Sequence, residues 1–211
     1  MTIALDPRTL ARQPQQQRAI DRFEVVLEEA RALLAENGMA GFSIPAVAQR
    51  LGYTRASIYK FFPTPYAILN ELTRRHFAGL ELHLAANARR FDGLSWQDVV
   101  REMVHLAAGF HNAHPVGMML ALGGTATDES HRSYELTIAH LGALARQLLV
   151  ARGIDVEKAP FDVAALAVDV GTTCFRHSYF LHRHITAAYR DAAAEVMVDF
   201  LSRQLAQSGA S

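Results

Sequence analysis

Apolar residues recur at three- and four-residue intervals along most of the chain, and we find no convincing alternation of apolar and polar positions typical of a strand. This periodicity predicts an all-α protein of about nine helices. Three short helices stand in front of a larger helical bundle. The predicted helices cover about 17–37, 43–51, 54–62, 65–90, 95–111, 115–122, 129–152, 160–184 and 186–206.

Glycine, proline and small hydroxyl residues mark the ends of the first helices. Gly38 is suited to end the first helix in a left-handed conformation, and Gly52 to end the second. Ser43 can cap the second helix, and Thr64 the fourth. The residues before these helices, which include the polar run "RQPQQQ", show no periodicity and are predicted to form a flexible arm over 1–16.

The second and third predicted helices are separated by the tight sequence "GYT". This spacing is typical of a helix-turn-helix, whose second helix enters the DNA major groove by its N-terminal end. The polar residues there suit that role, because arginine can bond a guanine edge and other polar groups can hold phosphates. A solvated helical hairpin without DNA would show the same spacing. The candidate DNA contacts are Ser43, Thr54, Arg55, Ser57, Tyr59 and Lys60.

A longer stretch, "AIDRFEVVLEEARALLAENGMAGFSIPAVAQRLGYTRASIYKFFPTPYAILNEL" (19–72), resembles the TetR family of bacterial transcriptional regulators. The resemblance implies that the six residues named above contact DNA. It also implies a repressor whose second domain binds a small-molecule effector and forms a homodimer on a palindromic operator. The family pattern usually has a lysine where this chain has Pro65, so Lys60 or Thr64 would have to replace that phosphate contact. Arg18 and Arg22 could add others.

We therefore predict a flexible arm (1–16), a helix-turn-helix DNA-binding domain (17–63) and a regulatory and dimerisation domain (64–211). The last two predicted helices are long and apolar on more than one face, which favours a homodimer through them. A stripe of small residues on the eighth helix would allow close helix approach. That stripe contains Ala164, Ala167, Gly171, Cys174 and Ser178. The alternative is that these residues form only the core of a monomer.

An apolar pocket with a few polar groups is the usual form of a small-molecule site. Met and aromatic residues at helical spacing more often belong to a core, so the pocket prediction is a hypothesis. Its members are His105, Phe110, Met118, Met119, Tyr134, Phe175 and Tyr179.

Composition excludes some classes of protein. The formal net charge is zero, which argues against unspecific DNA packaging. We expect no catalytic activity, no cofactor and no metal site. Two alternatives stay open: a metal-responsive regulator, because the chain has ten histidines, and an activator, by analogy with the family. Without a long apolar run or a signal-peptide core, and with one cysteine, the chain is expected to be cytoplasmic.

Overall fold

A computed structural model describes residues 6–123, 128–156 and 161–208 of the chain. Nine α-helices are described there, without a strand, and this confirms the all-α prediction. One short 3₁₀ helix, at Pro7–Thr9, precedes them, and two more, at Met39–Gly41 and Ala88–Phe91, lie between them. The helices are α1 (Gln17–Asn37), α2 (Ile44–Leu51), α3 (Arg55–Tyr59), α4 (Pro65–Ala86), α5 (Trp96–Ala113), α6 (Pro115–Leu122), α7 (Asp128–Val150), α8 (Val163–His182) and α9 (Ala187–Ser208).

Helices α1 to α3 and the first turns of α4 enclose one apolar core. Phe23 of α1 stacks on Phe62, with ring centroids 4.6 Å apart, and meets Phe61 edge-on. Ala67 and Ile68 of α4 are buried in the same cluster. Because α4 contributes to this core and then continues into the bundle, it connects the two parts of the molecule.

The bundle is formed by α4 to α9, and its core is divided into several apolar clusters. The predicted stripe of small residues on α8 packs inside the protomer. A Cβ on Gly171 would lie 2.4 Å from the sulfur of Met197 in α9. Ala164, Ala167 and Ser178 are also buried. The stripe therefore serves the packing of α8 on its own α9, and it is not free for close approach to a second copy.

The predicted end of the fourth helix differs from the observed one. Helix α4 ends at Ala86 and not near Arg90, because the Asn87 side chain turns back to donate to the His83 carbonyl at 2.8 Å. Parts of the predicted breaks at 123–130 and 152–160 lie outside the described residues. Among the helices that are described, none is long and apolar enough to cross a membrane.

Candidate nucleic-acid interface and cavities

The connection between α2 and α3 is a tight turn that begins at Gly52. This glycine has φ +65°, and its N–H is bonded to the Ala48 and Gln49 carbonyls, which ends α2. The next N–H, of Tyr53, also bonds the Ala48 carbonyl, at 2.9 Å. A left-handed residue is needed here for the chain to reverse, and glycine adopts that conformation at least cost. The turn sets α3 against α2 as a helix-turn-helix requires.

Hydroxyl side chains fix the starts of both helices. Ser43 Oγ accepts from the Ala46 N–H at 3.2 Å, and Thr54 Oγ1 accepts from the Ser57 N–H at 3.3 Å. Ser57 Oγ in turn donates to the Thr54 carbonyl at 2.7 Å. The hydroxyl protons of Ser43 and Thr54 stay available for a phosphate oxygen, whereas Ser57 can only accept a further hydrogen bond.

Helix α3 is divided into a buried and an exposed side. Ile58 is fully buried, while Arg55, Tyr59 and Lys60 are exposed. Neither Arg55 nor Lys60 is paired with a carboxylate of the described residues. Arg50 of α2 is held by Glu29 and Glu36 instead. Among the described residues, Arg55 in α3 and Lys60 just after it thus have no carboxylate partner, whereas Arg50 on α2 is neutralised.

The segment before α1 makes definite contacts in its described part. The Arg12 N–H donates to the Phe61 carbonyl at 2.8 Å, beside the end of α3. Thr64 Oγ1 donates to the Arg8 carbonyl at 3.0 Å, and Asn70 Nδ2 donates to the Thr9 carbonyl at 3.0 Å. These bonds place the exposed Arg12 next to the end of α3. Sequence reasoning missed Arg12, because a polar segment without periodicity gives no signal for its position.

The start of α4 clarifies which residue is free to replace the lysine expected at Pro65. Thr64 Oγ1 accepts from the Ala67 N–H at 3.3 Å, and its proton is donated to Arg8. The hydroxyl is therefore committed inside the protein. Of the two candidates, only Lys60 has its polar atoms unengaged among the described residues.

A group of ion pairs connects α1 to α4. Arg75 of α4 donates to Glu24 of α1 at 2.5 and 2.7 Å and to Glu71 of its own helix at 2.9 Å. Burial raises the pKa of Glu71, but hydrogen bonds from Arg74 and Arg75 outweigh it and leave that pKa below its usual value. The carboxylate of Glu71 is therefore charged, and it fixes Arg75 against α1.

The bundle contains an inner cavity of about 90 Å³ and a larger one of about 370 Å³ that reaches the end of α1. Phe175 lines the inner cavity, Met119 and Tyr179 the larger one, and Tyr134 both. These four of the seven predicted ligand residues lie near one another. The larger cavity is designated the interdomain cavity below.

The other three predicted ligand residues lie elsewhere. His105 is exposed on α5, where its Nε2 is 3.2 Å from the Asp191 carboxylate, and it lines neither cavity. Met118 is fully buried and packs in the core, again away from both. Phe110 stacks on His114 at 4.2 Å and lines an outer groove between α1, α4 and α6. Helical periodicity identified their helix faces but not what those faces contact.

The histidines of the bundle do not assemble a metal site within the part of the chain that the structure describes. No group of three His, Cys, Asp or Glu residues there is placed to hold an ion. His76 and His111 instead bond each other, with Nε2 and Nδ1 2.9 Å apart.

Helix α3, with exposed cations at both ends, follows a tight turn after α2, and this unit is carried on a helical bundle with cavities, an arrangement typical of helix-turn-helix DNA-binding proteins. Residues 26–72 match the family "Bacterial regulatory proteins, tetR family". The match covers α2, α3 and the adjoining parts of α1 and α4, and it falls within the stretch whose sequence resembles the same family. A comparison with curated proteins finds no match.

Solved structures of the same fold extend over nearly the whole chain. A TetR-family regulator from Streptomyces coelicolor is 20% identical, with a TM-score of 0.61 over 88% of this chain and 98% of that one. A putative TetR-family regulator from Mesorhizobium loti is 12% identical, with a TM-score of 0.60 over 90% and 98%. FadR of Thermus thermophilus, a TetR-family repressor in complex with lauroyl-CoA, is 16% identical, with a TM-score of 0.60 over 86% and 92%. At these identities the likeness concerns the fold.

Proposed function

We propose that this protein is a transcriptional regulator of the TetR family, a repressor that binds a palindromic operator as a homodimer and is released by a small-molecule effector. The observation that carries the proposal is the pair of unpaired cations Arg55 and Lys60, at the two ends of α3, next to α4, which runs from the core of α1 to α3 into a bundle with cavities. A regulator of this kind works where the DNA is, in the cytoplasm.

In this proposal α1 to α3 form the DNA-binding part of the protein, called the reader below, and each of its candidate contact residues has a distinct role. Arg55, near the N-terminal end of α3, reads a base edge, as an arginine does with guanine O6 and N7. Tyr59 and Lys60 contact phosphates beyond the other end, and Ser43 and Thr54 donate their hydroxyl protons to phosphates nearer the turn. Arg12 joins them, because its backbone bond to Phe61 sets it beside Lys60.

The dimer we propose uses the outer faces of α8 and α9. Large apolar side chains stand exposed there, in contrast to the small residues on the inner face of α8. Leu181 is 65% exposed, and Leu166 and Val196 are exposed as well. Apolar surface exposed in this way is unfavourable in water and is typical of an interface. A two-fold axis between the outer faces would pair the two readers with the half-sites of a palindrome.

Two connections could carry the presence of a ligand to the reader. One is α4 itself, whose first turns lie in the reader core and whose Arg75 is bonded to Glu24 of α1. The other is the wall of the interdomain cavity, which includes Gly38 and Met39 from the end of α1 and the turn after it. A ligand that prefers one placement of these elements shifts the population of DNA-binding dimers by its difference in affinity.

Selection of bound DNA from a random pool tests the proposal. The expected product is a palindrome whose half-sites are separated by about one DNA turn or slightly more. Recovery of unrelated sequences, or of single half-sites bound by a monomer, would contradict it. The selected operator, placed before a reporter gene, then separates repression from activation.

A further inference from the structure

The interdomain cavity of about 370 Å³ has no role in DNA binding itself. Its walls come from the end of α1 on one side and from α4, α6, α7 and α8 on the other. The volume lies within the range of roughly 300–1,000 Å³ that is usual for small-molecule sites. A ligand held there would contact the reader and the bundle at once.

The charged residues that line this cavity are all positive. Arg176 and Arg183 are the charged residues among its described lining residues, and no described lining residue is acidic. Neither arginine forms an ion pair with a described carboxylate. They are seven residues apart on α8, which corresponds to about 10 Å along the helix axis. Two guanidinium groups that form no ion pair with a described carboxylate, at the wall of a cavity, favour an anion.

Both guanidinium groups are held by aromatic rings of the same wall. Arg176 lies 4.8 Å from the ring centroid of Tyr134, and Arg183 lies 5.6 Å from that of Tyr179. The Tyr134 hydroxyl donates to Asp169 and also forms a hydrogen bond with Arg176, and both contacts fix the ring. Because stacking restricts both side chains before any ligand arrives, less side-chain entropy is lost on binding.

A third observation concerns Ser133, on the same wall. Its Oγ is buried and has no hydrogen-bond partner among the described residues. A buried hydroxyl without a protein partner is unfavourable, so a ligand atom that bonds Ser133 Oγ would gain affinity. The lining thus offers two cations and one unsatisfied hydroxyl.

The remaining lining is largely apolar. Leu69, Met119 and Phe180 contribute to it. Phe77 and Tyr134 also line the inner cavity, so the two spaces adjoin. An apolar or aromatic body is therefore suited to the same ligand that carries the anionic group.

We propose that the interdomain cavity binds an organic anion with an apolar or aromatic body, its acidic group held by Arg176 and Arg183. The inference rests on the proposed function, because it specifies the chemical class of the effector. Since Gly38 and Met39 belong to the reader side of the wall, the bound anion alters the affinity for the operator.

A pair of fluorescent probes with similar aromatic bodies tests the charge requirement. Anilinonaphthalene sulfonate is an anion, and N-phenylnaphthylamine is neutral. The expected result is saturable binding of the anion to the folded full-length protein, at least about tenfold tighter than that of the neutral probe. Equal affinity for the two probes would overturn the proposal. Competition of decanoate and of decyl phosphate with the anionic probe shows whether the site prefers a carboxylate or a phosphate. Decanol, which is neutral, should not displace the anionic probe.

Charge-removing variants locate the site. Arg176→Gln combined with Arg183→Asn should weaken binding of the anionic probe at least about tenfold and leave the neutral probe within about twofold. Asparagine is chosen because Arg183 has φ +61°, a conformation that asparagine tolerates. Arg176→Lys should restore part of the affinity. Arg89→Gln, an exposed arginine outside the cavity, is the matched control. Unchanged affinity in the double variant would overturn the assignment.

The effect on DNA separates this inference from the proposed function. The anionic probe should change the affinity for the selected operator in the wild type and not in the double variant. Arginine-dependent probe binding that leaves operator affinity unchanged would overturn the effector role. If the protein without ligand selects no operator, the proposed function fails, and the probe titrations, which contain no DNA, still report on the cavity.

Discussion

Nε2 of His76 in α4 and Nδ1 of His111 in α5 lie 2.9 Å apart in the buried interior of the bundle. One ring must donate and the other accept, so at least one of the two must be neutral. Burial lowers the pKa of His76 to about 4 and that of His111 to about 3, with neighbouring histidines adding to both shifts. The pair joins α4 to α5 as neutral side chains.

This pair predicts acid sensitivity of the fold. In the unfolded chain both histidines have a pKa near 6.5, so between about pH 4 and 6.5 the unfolded state binds more protons. The contribution to stability is complete above pH 6.5 and is lost as the pH falls. At pH 5 the loss should reach about 2 kcal/mol per histidine at most. Urea unfolding from pH 7.5 to 5 measures it.

A pair of variants assigns the pH effect to these residues. His111→Gln should flatten the pH dependence, whereas His177→Gln, at an exposed position on α8, should leave it unchanged. Equal stability of the wild type at pH 7.5 and pH 5 would show that the buried pair does not titrate as described.

The approach of α6 to α4 depends on Gly117, which lies against the same histidine. A Cβ at Gly117 would lie 2.0 Å from His76 Nδ1. We expect Gly117→Ala to destabilise the fold by about 1–3 kcal/mol, because the imidazole is buried and cannot move aside freely. Gly109→Ala is the control, since nothing lies within 4 Å of its Cβ position in α5. It should gain about 0.5–1 kcal/mol from helix propensity. The difference between the two midpoints of urea unfolding measures the effect, and similar midpoints would disprove the steric argument.

The sequence predicted the helices well where local chemistry sets their ends. Helix α1 runs over Gln17–Asn37 as expected, because Gly38, at φ +63°, ends it. The capping roles of Ser43 and Thr64 also follow from residue type alone. Helix α4 was predicted too long, since the Asn87 side chain that ends it acts through a contact that helical periodicity does not contain.

The site was less predictable, for two physical reasons. Arg12 is placed by a bond from its backbone N–H, which every residue except proline possesses, so side-chain type carries no signal. His105 and Met118 lie on helices with the expected periodicity, but periodicity does not distinguish a surface, a filled core and a cavity wall. Arg176 and Arg183 stand out only when α8 is seen beside Tyr134 and Tyr179.

The two unpaired cations, Arg55 in α3 and Lys60 just after it, should differ in their effect on DNA binding. Lys60→Ala should weaken binding to all sequences and lower the slope of log affinity against log salt by about one, as loss of one phosphate contact does. Arg55→Ala should instead reduce the preference for the selected operator over mismatched DNA, by about 1–3 kcal/mol at one position. Fluorescence anisotropy at several salt concentrations measures both. Arg89→Ala controls for a general change of charge, and an unaltered salt slope for Lys60→Ala would reject its phosphate contact.

The proposed dimer makes a prediction for Leu181, which is 65% exposed at the end of α8 and lies outside the interdomain cavity. If this side chain is buried between two protomers, Leu181→Glu places an uncompensated carboxylate in an apolar interface and should raise the dimer dissociation constant at least about tenfold. Leu82→Glu is the matched control, because Leu82 is 73% exposed on α4, away from α8 and α9. Sedimentation velocity at micromolar concentration should show a dimer for the wild type and for Leu82→Glu. A monomeric wild type, or equal dimerisation of the two variants, would place the interface elsewhere.

The monomeric variant should still fold, and it should bind a single half-site more weakly than the dimer binds the palindrome, because linkage of two readers supplies the second contact at a high effective concentration.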